Sequence, residues 1–171
     1  MPLQPKLGDI LAYYASDNLL AFKGIAIGEY LADHEWPKYV HVGMYAGPNK
    51  QITTNTDWGI NVYPIWPMPY AILRPKWSYG SLASALTYAY DRQGEKPYGW
   101  ADVFLSGIAT AAHARKFGWP MSLGRKLPPD CAGLIAKMCK YGGLNLFPDI
   151  RFSWEVIPDD FKNAQFVEII R

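Results

Sequence analysis

Apolar and polar positions repeat with a period near two in the first half of the chain and near 3.6 further on. Ile10, Leu11, Ala12, Tyr13 and Tyr14 follow the turn-forming Leu7-Gly8-Asp9 and predict a first strand, partly buried on both faces. In Tyr39-Val40-His41-Val42-Gly43-Met44-Tyr45, alternation puts Val40, Val42 and Met44 on one face and His41, Gly43 and Tyr45 on the other. Gly47-Pro48-Asn49 supplies the turn of a hairpin, and Gln51 to Thr54 predicts its returning strand. Ile60 to Tyr63 and Ala71 to Arg74 predict two more short strands. Pro64-Ile65-Trp66-Pro67-Met68-Pro69 between them cannot be a central strand, because proline brings no N–H to a ladder.

Helical spacing predicts a segment from Ser16 or Asp17 to about Leu31, then Ser81 to Arg92, Ala101 to Arg115 and Asp130 to Tyr141. Gly142-Gly143 stands where the last helix must stop. Phe166 to Ile170 is expected to return to the sheet. Strands followed by helices without strict alternation predict an α+β domain, an antiparallel sheet packed against helices. At 171 residues the chain falls within the roughly 100 to 200 of one domain, so residues 1–171 are expected to form a single unit.

Composition narrows the function classes. Half of the residues are hydrophobic and 19% are charged, which suits a folded chain and not a disordered one. The 17 Lys and Arg against 15 Asp and Glu leave a net +2 with no basic run to follow a phosphate backbone, so nucleic acid is a poor partner. The apolar stretch around Val103 to Ala112 is about half of the ~20 residues of a membrane span. Met1 to Asp9 lacks the basic start and apolar stretch of a secretory signal, which leads us to expect synthesis in the cytoplasm, with virion packaging, lysis or non-classical export as the routes outward.

Candidate chemistry starts at Pro128-Pro129-Asp130-Cys131-Ala132-Gly133-Leu134-Ile135. Proline favours a helix start, Asp130 can cap the free amides, and Cys131 falls in the first turn. There the unpaired N–H groups and the helix dipole favour a thiolate, and the same groups can bind an oxyanion. Cys131, Leu134, Ile135, Met138 and Cys139 share one helical face, so burial is the competing reading, and for mid-helix Cys139 it is the one adopted. Eight residues along one helix, about 12 Å, separate the two cysteines too far for a disulfide. A thiol nucleophile needs a base. His34 in a polar loop and His113 near the end of an alanine-rich helix read as solvated, whereas His41 lies mid-strand beside Gly43, whose small size leaves room for an approaching group.

Four segments together resemble the NlpC-type peptidoglycan hydrolases of the papain-like superfamily. Asp130-Cys131-Ala132-Gly133-Leu134-Ile135 is similar to the nucleophile motif of that family. His41-Val42-Gly43-Met44-Tyr45-Ala46-Gly47 is similar to its base strand, Leu7-Gly8-Asp9-Ile10 to the segment opening the preceding strand, and Pro97-Tyr98-Gly99-Trp100 to a segment upstream of the cysteine. The histidine block here precedes the cysteine block, which resembles the circularly permuted branch, with its YiiX-like and lecithin:retinol acyltransferase-like members.

The resemblance implies a papain-like fold, Cys131 as nucleophile, His41 as base, no metal or organic cofactor, and a peptide or peptidoglycan fragment as substrate. A third polar residue is implied about twelve positions beyond the base, which falls on Thr53, with Gln51 and then Asn55 as alternatives on the same face. Tyr98 is a candidate for holding substrate or oxyanion. Trp58, Tyr63, Trp66, Pro67 and Tyr70 can line a cleft, or simply fill a core or lid. Two other functions stay open: an acyl or lipid thioesterase or acyltransferase of the permuted branch, and a non-catalytic virion-associated module with the same fold.

Overall fold

A computed structural model describes residues 4–15, 30, 36–55, 58–78, 80–96, 130–148, 156, 158–165 and 167–170. Apart from Tyr30, the helices expected at 16–31 and 101–115, together with His34, Tyr98 and His113, lie outside the described residues.

Six strands form one sheet: β1 Ile10–Tyr14, β2 Tyr39–Gly47, β3 Lys50–Asn55, β4 Gly59–Pro64, β5 Tyr70–Pro75 and β6 Val167–Ile170. Their order is β4-β3-β2-β1-β5-β6, and every pairing is antiparallel. Helices α1 Ser81–Tyr90 and α2 Cys131–Tyr141 pack together, and a 3-10 helix, Pro158–Asn163, packs on β2. The fold is α+β, as the change of period predicts.

Period two divides the sheet into two faces. Ile10, Ala12, Val42, Met44, Ile52, Ile60, Ala71 and Leu73 form one apolar cluster with Ala85, Tyr88 and Ala89 of α1 and Leu134, Ile135, Met138 and Cys139 of α2. Each large aliphatic side chain fully buried there contributes about 1.5–3 kcal/mol. Leu11, Tyr13 and Ile72 belong to a second cluster on the other face, covered by Tyr45, Ile65, Trp66, Met68 and Tyr70.

Val40 departs from the expected alternation. Tyr13 pairs with His41 but Tyr14 pairs with Tyr39, so Val40 is an extra residue on β2. This bulge turns Val40 away from Val42 and Met44 and into a small cluster with Ala15, Trp66 and Met68. A bulge re-aims the side chains around it, and this one immediately precedes His41.

The end of α2 is set by its glycines. Gly143 adopts φ +79°, left-handed backbone that terminates the helix. A Cβ on Gly142 would sit 2.6 Å from both the Ser81 carbonyl oxygen and the Trp77 ring, so glycine there lets α2 close onto the start of α1. Asp9 makes a two-pronged ion pair with Arg74, at 2.9 and 2.7 Å, that fastens β1 to β5.

Candidate active site

His41 is 5% exposed, and its partners come from three separate stretches of chain. Thr53 on β3 places Oγ1 2.9 Å from His41 Nε2 and 2.8 Å from the Val42 carbonyl. A threonine hydroxyl has one proton, and the carbonyl can only accept it, so Oγ1 must accept toward His41. The hydrogen-bond network therefore assigns the neutral imidazole a proton on Nε2 and a lone pair on Nδ1. This is the tautomer a general base working through Nδ1 needs, and the hydroxyl twelve positions on supplies it.

Trp66 lies flat against the imidazole, ring centroids 4.2 Å apart at 29°, and Tyr13 is tilted beside it at 5.7 Å. Tyr70 stands edge-on behind Tyr13 at 5.6 Å. Removal from water disfavours the charged imidazolium, and burial pulls the His41 pKa from 6.5 down to about 3. Trp66, from the proline-rich stretch, thus covers His41, while Tyr70 packs on Tyr13. Trp58 is 69% exposed and takes no part in that cover.

Gln51 does not sit in open space. Its Oε1 accepts from the Tyr13 hydroxyl at 2.9 Å, and its Nε2 donates to the Pro64 carbonyl at 3.2 Å. The room left by Gly43 is taken by this amide, since a Cβ there would collide with Gln51 Oε1. The gap expected to admit an approaching group is filled from within the sheet. Asn55 closes β3 opposite Gly59.

Cys131 opens α2. Asp130 is its N-cap, with Oδ1 accepting from the Gly133 N–H at 2.6 Å and its carbonyl from the Leu134 N–H at 2.8 Å. Asp130 therefore acts as a helix cap, and it engages amides that would otherwise be available to an oxyanion. Enclosure pushes its carboxyl up to about 6, against the opposing pull of the Gly133 amide and Lys137. The two cysteines separate as their positions suggest: Cys131 is half-buried and Cys139 fully buried, and neither is in a disulfide. Cys131 does not share the centre of the buried stripe with Leu134 and Met138, as helical spacing alone implies. It packs at the margin of the main cluster. Burial pushes the Cys139 thiol up, which keeps it inert.

The described contacts unite His41 with Thr53 and unite Gln51 with Tyr13. Cys131 is placed by its helix, whose body lies on the face of the sheet opposite to His41. One organising residue has no counterpart in the sequence reading. Asp159 on the 3-10 helix accepts from the Lys38 and Tyr39 amides at 2.7 and 3.3 Å and from Lys162 Nζ at 2.6 Å, clamping the entry to β2 just before the bulge. Pro158-Asp159-Asp160 signals a helix start, but its partner strand is more than a hundred residues away in sequence.

Among the described residues no helix is long and apolar enough to cross a membrane. Comparison of the chain with protein-family models, with curated proteins and with solved structures gives no match.

Replacing Thr53 by valine removes the acceptor while keeping the shape. If His41 serves as a general base, we expect a roughly 10- to 100-fold fall in kcat with KM little changed, and recovery in Thr53→Ser, measured by steady-state hydrolysis. Equal rates in wild type and Thr53→Val would mean that the hydroxyl does not orient the base.

Proposed function

We propose that the chain is a papain-like cysteine hydrolase of the permuted NlpC type, cleaving an amide in a peptidoglycan stem peptide. The observation that carries this reading is the Thr53–His41 hydrogen bond, which leaves the imidazole as a neutral base with its lone pair on Nδ1. His41 takes the Cys131 proton as Sγ attacks the carbonyl, and returns it to the departing amine. Water then hydrolyses the thioester, releasing the acid and regenerating the thiol. The reading requires the Cys131 thiol, at the start of α2, to come within reach of His41 Nδ1.

A second reading, hydrolysis or transfer of an acyl ester, is favoured by the apolar setting of His41, with Trp66 and Tyr13 against the imidazole and Val40 and Met68 behind Trp66. A substrate panel separates the two. Cleavage of purified muropeptides supports the first. Cleavage of acyl esters with muropeptides untouched moves the assignment to the second, and inertness toward both leaves a non-catalytic module.

A further inference from the structure

The Pro64–Pro69 connection crosses the His41 face of the sheet as a strap. Pro64 ends β4 opposite Lys50, and beyond it Pro67 and Pro69 bring no N–H to a ladder. The two ends of the strap are tied by backbone bonds, Ile65 N–H to the Asn49 carbonyl at 3.0 Å and Tyr14 N–H to the Pro69 carbonyl at 3.1 Å. Side chains add further ties at Pro64 and at Trp66. Gln51 Nε2 donates to the Pro64 carbonyl at 3.2 Å, Gln51 Oε1 accepts from the Tyr13 hydroxyl at 2.9 Å, and the Tyr13 oxygen accepts from the Trp66 N–H at 3.4 Å. Gly43 makes this relay possible by leaving space for the Gln51 amide.

We propose that Tyr13 and Gln51 are positioning residues of the candidate site, tethering the proline strap so that Trp66 stays stacked on His41 and keeps water from the imidazole. Both act through Trp66 and not on a substrate. The Tyr13 hydroxyl is well matched to this role, since burial pushes its pKa up to about 12 and it brings no charge to the imidazole. The indole face offers an imidazolium some cation–π stabilisation, but exclusion of water outweighs it while the strap is down. Opening the strap would therefore raise the basicity of His41. The catalytic consequence rests on His41 being the base, whereas the tether itself does not.

Tyr13→Phe removes the hydroxyl and keeps the ring, and Gln51→Met removes the amide and keeps the length. Titrating the His41 imidazole by NMR in full-length protein tests the tether whether or not Cys131 is a nucleophile. In the wild type the ring should stay neutral until acid unfolds the chain. In each variant the midpoint should rise by about one pH unit or more, a tenfold gain in proton affinity, toward the ordinary 6.5. Should one variant fail to fold, the other decides. A folded variant whose His41 titrates as in the wild type would overturn the proposal.

Discussion

Cys131→Ala is expected to abolish amide hydrolysis, by at least about three orders of magnitude in kcat, while leaving the fold intact. On the proposed mechanism the chemistry is lost because no other side chain at the start of α2 can form the thioester. The fold should survive because Cys131 is half-buried at the edge of the main cluster, and alanine is a better helix former than cysteine. Asp130 still caps Gly133 and Leu134 in the variant. Cys139 provides the opposite case on the same helix. Cys139→Ser puts a hydroxyl into the centre of the core, at a cost of about 1–3 kcal/mol, and should lower stability without lowering kcat of the folded fraction. Kinetics and chemical denaturation on the two variants check both halves. A Cys131→Ala protein that is folded and retains hydrolysis would remove the nucleophile from this account.

Stability should fall in acid because of His41, and the sign follows from linkage. In the folded chain its pKa is lowered from 6.5 to about 3, so below pH 6.5 the unfolded chain binds a proton that the folded chain refuses. The stabilising contribution is complete above pH 6.5 and is lost as pH falls toward 3. At about 1.4 kcal/mol per pH unit the whole contribution is about 4 to 5 kcal/mol, a large share of the stability of an ordinary domain. Asp130 works in the other direction. Its folded pKa is raised to about 6, so its contribution is complete below the ordinary 3.8 and is lost as pH rises through 6. The two oppose each other between roughly pH 4 and 6, which flattens the wild-type profile there. Urea denaturation at pH 7 and pH 4.5 separates them. His41→Gln should lose less stability than the wild type on acidification, and Asp130→Asn, which keeps the cap, should lose more. Identical losses in His41→Gln and wild type would show that the imidazole is hydrated in the folded chain.

Local signals explain how much of this was visible in the sequence. The period-two runs mark five strands whose bounds shift by only a residue or two, and Val167–Ile170, within the stretch expected to return to the sheet, does so as β6 beside β5. Thr53 was reached through the family resemblance, which implies a polar residue about twelve positions beyond the base, and the structure sets its hydroxyl on the His41 ring. Val40 was misplaced because a bulge depends on how a partner strand pairs, and Tyr13 and Tyr14 lie some 26 residues upstream. The Trp66 cover, the Gln51–Tyr13 bond and the Asp159 clamp were not legible for the same reason. Each is a long-range contact between residues that are individually ordinary. A buried glutamine and a surface glutamine look alike until the hydroxyl that satisfies the first is located.

Reaction of Cys131 with iodoacetamide at pH 7, followed by mass spectrometry in wild type and His41→Gln, tests the proposed pair most directly. If His41 takes the Cys131 proton, the wild-type thiol should react at least about tenfold faster than an ordinary thiol of pKa near 8.5, and His41→Gln should bring it back to that ordinary rate. Equal Cys131 rates in the two folded proteins would contradict the pair and, with it, the hydrolase.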